Sequence, residues 1–340
     1  MPSPTAARLE DVRALPRRRA GRRLAGLGVA VGLVLTTALT APVAAAAPAQ
    51  PAPGPGAIGP GVRIATPVRG GAELCTANFL FTGAGRPDGH ADGEWGAEHQ
   101  AAPSGDLYLG AAAHCMAGEE AMSSVDGCVE PVLPEGIEVR IAGRDGRTYS
   151  GTVAYNSWKV MQDRGETDRD LCLFNDLSLI RLGPEAAAVA DPTVPGFGGP
   201  TGLDTDGTVD GEPVYSHQPN QLPATPNKQG VSLGRPEGPR THVVLTVPGG
   251  VPGDSGAGFL DREGRAFGLL SSLLLPTSAN GVTDLATALD YATEHGRIGP
   301  VDLVPGTRPF SSAVLPLTEQ PAGPYAPPRP LPELVPAPLR

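Results

Sequence analysis

Between residues 61 and 300 each apolar run is short and closed by Gly, Pro or Asp. The runs are NFLFTG (78–83), LYLGAAA (107–113), IEVRIAG (137–143), LSLIRLG (177–183), HVVLTVPG (242–249), GAGFLD (256–261) and AFGLLSSLLLP (266–276). Runs of this length and spacing suit strands rather than helices, which need longer periodic stretches. One stretch differs. TDLATALDYATEHG (283–296) puts Leu285, Leu289 and Ala292 on one helical face, with Thr283 or Asp284 as the cap and Gly296 as the stop. The pattern predicts an all-β chain with one C-terminal helix and no internal repeat.

The ends of the chain have other compositions. Arg17, Arg18, Arg19, Arg22 and Arg23 lead into an apolar run from about Leu24 to Val43, followed by Ala44–Ala47 and Pro48. A basic start, an apolar middle and a small-residue exit are the three parts of a secretory signal peptide, so we expect residues 1–47 to be removed on export. Residues 48–60, PAQPAPGPGAIGP, hold few large apolar side chains and read as a linker or short pro-segment. From 301 to 340 proline dominates again, which predicts an extended, disordered tail. The folded domain is then expected at 61–300, as one large β unit or a two-lobed one.

Charge narrows the partners. Removing residues 1–47 takes away seven Arg and two acids and moves the net charge from −10 to −15. Lys159 and Lys228 are the only lysines, so no basic stripe remains for nucleic acid or an anionic membrane. All four cysteines, Cys75, Cys115, Cys128 and Cys172, follow the export segment. In an oxidising compartment they suggest two disulfides, with three pairings open, and Cys-x-x-Cys metal spacing is absent.

Three motifs carry chemistry. His114 follows a strand-like run in YLGAAAHC, Asp176 heads another in CLFNDLSLIRL, and Ser255 sits in VPGDSGAGFL. Read alone, each has an ordinary structural explanation: a buried histidine, a strand-start turn, a glycine-rich turn. Together, in the order His, Asp, Ser, the segments AAHC (112–115), NDLSLIRL (175–182) and GDSGAGFL (253–260) resemble the chymotrypsin-like serine peptidases, in particular their secreted bacterial branch. The resemblance spans residues 61 to about 298.

The resemblance implies two six-stranded antiparallel β-barrels with a C-terminal helix, and a secreted serine endopeptidase acting as a monomer on protein or peptide substrates without metal or cofactor. Ser255 would be the nucleophile, His114 its general base and Asp176 the group that orients the imidazole. The N–H groups of Gly253 and Ser255 would form the oxyanion hole. The family's bridge that pins the histidine loop implies Cys75–Cys115, which leaves Cys128 for Cys172. Gly249 would lie at the base of the primary pocket, with Ser271 on the substrate-binding edge. Leu270 stands where glutamate-specific relatives use histidine, and Leu273 where many members have glycine. With no acid at Gly249, we expect small or apolar side chains to be preferred.

Asp254 has no assigned partner at this stage. In activated family members the equivalent acid bonds a newly cut chain terminus, which a cut at Arg63–Ile64 would supply; an internal Arg is the alternative. The acidic loops DGHADGEWGAEH (88–99) and DTDGTVDGE (204–212) could ligate calcium but fit solvated loops better, without the spacing of an EF-hand. Trp158 reads as core packing. His90, His99, His217, His242 and His295 have no metal-site spacing. The rival reading of the whole chain is a catalytically silent homologue serving as an extracellular binding or adhesion module.

Overall fold

The computed structural model describes residues 56–68, 71–83, 106–118, 125–220, 226–274 and 279–312, all within one compact unit, Gln50–Arg340. The expected signal peptide and residues 313–340 lie outside them. Among the described residues no helix is long and apolar enough to cross a membrane.

Among the described residues, fourteen strands build two lobes. The first lobe uses β1 (Arg63–Val68), β2 (Gly71–Thr76), β3 (Leu80–Gly83), β4 (Leu107–Ala111), β5 (Glu138–Ala142), β6 (Thr148–Asn156), β7 (Ser178–Leu182) and, from the chain's far end, β14 (Val301–Leu303). They form an antiparallel sheet ordered β14-β3-β4-β7-β6-β5-β1-β2. β2 and β3 act as one strand interrupted at Ala77–Phe79. Across the break, Ala77 N–H donates to the Val62 carbonyl and the Ala77 carbonyl accepts from Gly61 N–H, while Asn78 N–H donates to the Gly110 carbonyl and the Phe79 carbonyl accepts from Gly110 N–H. The chain thereby passes within three residues from the β2 edge of the sheet to β3 near its other edge. The second lobe is a closed six-stranded barrel of β8 (Asp210–His217), β9 (Asn227–Leu233), β10 (Thr241–Thr246), β11 (Gly258–Leu260), β12 (Ala266–Leu274) and β13 (Ala279–Asp284).

Local sequence explains these elements. In β6 the inward positions Tyr149, Gly151, Val153 and Tyr155 alternate with more exposed ones, as a half-buried strand requires. Phe79, Phe81, Tyr108 and Tyr155 are fully buried, and each aromatic removed from water contributes roughly 1.5–3 kcal/mol. The expected helix is α4 (Leu285–His295). Asp284 caps it, accepting from Thr287 N–H at 2.8 Å, and Gly296 ends it. Two helices that the apolar runs do not announce, α1 (Ser157–Arg164) and α2 (Arg169–Phe174), begin at the side-chain caps Asn156 and Asp168. A single turn, α3 (Pro184–Ala187), follows β7.

Both outer boundaries of the domain shift. Residues 57–60, expected in a linker, are buried: Ile58 exchanges backbone bonds with Val189 and Asp191, and Arg144 donates to the carbonyls of Gly56 and Pro60. The expected tail is folded as far as residue 312. β14 pairs with β3, Gly306 donates to Pro200, Gly199 donates to Arg308, and Ser311 donates to Phe197. Thr307 and Thr193 share a hydroxyl bond of 2.7 Å, and the Phe310 ring meets Tyr215 edge-on at 5.3 Å. After β14 the prolines interrupt the ladder but leave carbonyls and single N–H groups free to dock, which is how residues 304–312 are held.

Candidate active site

His114 lies in a 3-10 turn, Ala113–Met116, directly after β4. Asp176 sits between α2 and β7. Its Oδ2 is 2.7 Å from His114 Nδ1, and its Oδ1 accepts the His114 backbone N–H at 2.9 Å. A carboxylate only accepts, so Nδ1 carries the hydrogen and the lone pair falls on Nε2. That Nε2 is buried and has no hydrogen-bond partner among the described residues. Burial pulls the His114 pKa down, but the charge and hydrogen bond of Asp176, with Glu73 farther off, outweigh it and hold it above the ordinary histidine value.

The Asp176 segment is fastened on both sides. Ser157 Oγ donates to Asn175 O at 2.7 Å and accepts from Leu177 N–H, Asn156 Nδ2 donates to Ala113 O, and Thr283 Oγ1 donates to Phe174 O. Ser271, expected on the substrate-binding edge, turns its hydroxyl to Asp176 Oδ2 at 2.6 Å. The cause is a bulge: Leu270 pairs with Val282 and Ser272 with Gly281, which leaves Ser271 as the extra residue and re-aims its side chain.

Ser255 lies in the second of two successive turns. Asp254 N–H donates to Val251 O, and Ala257 N–H donates to Asp254 O. Their third residues, Gly253 and Gly256, have φ of +96° and +88°, the left-handed values that type II turns require. The glycines of VPGDSGA are thus dictated by turn geometry. Gly256 also lies flat against the first lobe, where an added Cβ would stand 2.4 Å from Thr76 O and 2.9 Å from Ala112 N. The loop therefore abuts the histidine turn. Around it the N–H groups of Asp254, Gly256 and Ala257 are engaged, whereas those of Gly253 and Ser255 donate to no acceptor among the described residues. No hydrogen bond joins Ser255 to His114 among the described residues.

Asp254 is fully buried, and its cation is Lys228. The Lys228 Nζ lies 4.0 Å from Asp254 Oδ2 and donates to the carbonyl of Gly249 at 3.0 Å. Burial drives the Lys228 pKa down to about 8, against the pull of Asp254. This partner is neither an arginine nor a chain terminus. Ile64 is buried in β1, paired with Cys75 and Ile141. Near the same loop, Asn280 spends its carboxamide internally, with Oδ1 accepting Gly250 N–H and Nδ2 donating to Thr246 Oγ1. Leu273 is 42% exposed on β12.

The disulfides join Cys75 to Cys115, as the resemblance implies, and Cys128 to Cys172, the pair that this leaves. Trp158 is buried, its ring 6.2 Å from that of His114. The acidic loop 88–99, with His90 and His99, lies outside the described residues. In the loop 204–212, Asp204 and Asp206 face Arg265, which also bonds Asp261 Oδ2 at 2.7 Å, so a guanidinium supplies the positive charge there. His217 bonds Asn227 and His242 bonds Thr208 and Asp284, both buried structural arrangements; His295 stacks edge-on with Tyr291. Sequence reasoning missed Lys228, although it is a rare lysine on the buried side of NKQGVSL. It also missed Thr76 and Asn220, which have no signal of spacing at all.

No protein-family model and no curated protein matches the chain. The solved structures that resemble it are serine proteases. Protease A of Thermobifida fusca is 16% identical, with 73% of this chain and 99% of that one covered at a TM-score of 0.43. The HtrA-type protease AlgW with a tripeptide is 15% identical, over 69% of this chain and 60% of that one, at 0.40. A glutamic acid-specific serine protease, described as using a histidine triad in substrate binding, is 15% identical over 73% and 100%, at 0.38. Likeness at this level assigns no activity, which has to rest on the residues themselves.

Proposed function

We propose that this chain is a secreted serine endopeptidase. The observation that carries the reading is the buried His114–Asp176 pair, which presents an unpartnered Nε2 beside the Ser255 loop. In the reaction, His114 Nε2 takes the proton of Ser255 Oγ as the oxygen attacks a substrate carbonyl. Asp176 holds the tautomer and stabilises the imidazolium, and the free N–H groups of Gly253 and Ser255 receive the oxyanion. The imidazolium then protonates the departing amine, an acyl-enzyme remains, and water attacking by the same route releases the acid. Export through residues 1–47 agrees with the two disulfides, and the substrates are proteins or peptides met outside the cell by a monomer. A preference for small or apolar side chains agrees with the uncharged Gly249 and the committed carboxamide of Asn280.

A fluorophosphonate probe tests the reading. Labelling should map to Ser255 and vanish in Ser255→Ala. Peptide hydrolysis should fall roughly a million-fold in Ser255→Ala or His114→Ala, as when such a unit is dismantled. The missing Ser255–His114 hydrogen bond favours the rival reading, a binding module, and folded protein that takes no label would establish it. The pH profile gives a second check. His114 must be neutral to accept a proton and its pKa is raised, so the acidic limb of kcat/KM should lie above the ordinary histidine value of about 6.5. A limb below that value would remove Asp176 from the role given to it.

A further inference from the structure

Gly253 offers one of the two free N–H groups of the loop, and glycine is the residue least able to hold its own orientation. Something outside the turn has to fix it. The carbonyl of Gly253 accepts two side-chain bonds, from Thr76 Oγ1 at 2.7 Å and from Asn220 Nδ2 at 2.5 Å. The two donors are joined, since Asn220 Nδ2 also donates to Thr76 Oγ1 at 2.8 Å. Each adds a backbone bond to the same loop: Thr76 N–H donates to Ser255 O at 2.8 Å, and Asn220 N–H donates to Asp254 Oδ1 at 3.2 Å. The plane of the Gly253–Asp254 peptide is thereby pinned at its oxygen by two side chains and at its nitrogen by the bond to Val251 O.

The placement of Thr76 adds meaning. It is buried at the end of β2, next to Cys75, whose disulfide reaches Cys115, the neighbour of His114. One residue of the first lobe thus holds the second-lobe loop and is covalently tied to the histidine turn. Asn220 completes the grip from the second lobe, following β8.

The geometry points to Thr76 and Asn220 as a clamp that fixes the Gly253–Asp254 peptide, and through it the Gly253 backbone from which the neighbouring N–H projects, and so holds the oxyanion donors in register with His114. The inference rests on the endopeptidase reading. Both are positioning residues and touch no reacting atom. The clamp acts where charge develops, so it governs turnover and not ground-state binding. Its bonds come from side chains and backbone groups inside the chain and use no chain terminus.

Three variants test the clamp on the full-length secreted protein: Thr76→Val, which keeps the shape and removes the hydroxyl; Thr76→Ser, which restores the hydroxyl; and Asn220→Ala. Thr76→Val and Asn220→Ala should each lower kcat by roughly tenfold or more, short of the roughly 10²–10³ for deleting a donor outright, with KM within about twofold. Affinity for a peptide boronate, whose oxygen occupies the oxyanion position, should fall in parallel, while Thr76→Ser should stay within about threefold of wild type. Amide exchange of residues 250–257, read by mass spectrometry on each variant, should quicken for Thr76→Val and remain native for Thr76→Ser. Unchanged kcat and boronate affinity in both Thr76→Val and Asn220→Ala would overturn the clamp while leaving the endopeptidase reading intact. A loss that Thr76→Ser fails to restore would overturn it as well, since a general packing defect would then be the cause. A wild-type protein that neither labels nor hydrolyses peptides overturns the parent reading, and the clamp's catalytic purpose with it.

Discussion

The two lobes reach rigidity by different means. The first carries both disulfides and most of the large buried aromatics, with Phe79, Phe81, Tyr108 and Tyr155 in one continuous core. The second has no disulfide among the described residues, and its own cluster is small: Val214, Val244, Ala257, Phe259, Phe267, Leu270 and Val282. In their place it buries polar side chains that satisfy one another. Lys228 meets Asp254 and Gly249; His242 joins Asp284 to Thr208, which shares a bond with Ser232; Asn280 links Gly250 to Thr246. Covalent staples tolerate changes of charge, whereas a buried polar set is stable only while every member keeps its partner. The lobe supplying His114 and Asp176 should therefore resist pH and yield to reductant. The lobe supplying Ser255 should behave in the opposite way.

The strongest way to break that contrast is at Lys228. Lys228→Ala strips a fully buried carboxylate of its cation and should destabilise the protein by about 3–5 kcal/mol in denaturant unfolding. A loss below about 1 kcal/mol would mean that the second lobe does not depend on its charges. Next comes the Cys75–Cys115 staple, which closes a 40-residue separation. Replacing both cysteines by alanine should remove about 2–4 kcal/mol while leaving amide protection in β8–β13 close to native. Loss of protection in the second barrel would erase the distinction.

A pH effect follows. Burial lowers the His217 pKa to about 4, despite its bond to Asn227, with Arg144 also pushing it down. Between that value and the unfolded value of about 6.5, the unfolded chain binds more protons than the native one. Stability is therefore full above pH 6.5 and declines as pH falls towards 4, by at most on the order of 3 kcal/mol. His217→Gln should flatten that slope in unfolding curves recorded from pH 7 to 4, and an unchanged slope would acquit this residue. Smallest is Asp168→Ala, which removes the exposed cap of α2 in the first lobe and should lower stability by about 1 kcal/mol, readable as a modest shift in denaturation midpoint.

What was legible in the sequence follows the same division. Short apolar runs located β3, β4, β5, β7, β10, β11 and β12, because their cores are apolar and their ends are punctuated. Runs such as TYSGTVAYN and NKQGVSL hid β6 and β9, since buried Gly, Ser and Lys keep hydropathy low even where burial alternates along the strand. His114, Asp176 and Ser255 were readable because turn chemistry and strand ends leave local spelling. The roles of Ser271, Thr76, Asn220 and Lys228 were not. Each comes from contacts between residues far apart in the chain, and a bulge such as the one at Ser271 has no local code. Proline counting placed the end of the domain at 300, but composition reports the absence of regular ladders and says nothing of docking.

The docked segment after β14 has one more consequence. It leaves the first-lobe sheet, runs along residues 193–200 of the connection between the lobes, and sets Phe310 against Tyr215 of the second barrel. It works as a belt buckled across the connection between the lobes. Trimming the chain at residue 300 would unbuckle the two halves while leaving His114, Asp176 and Ser255 all in place in the sequence.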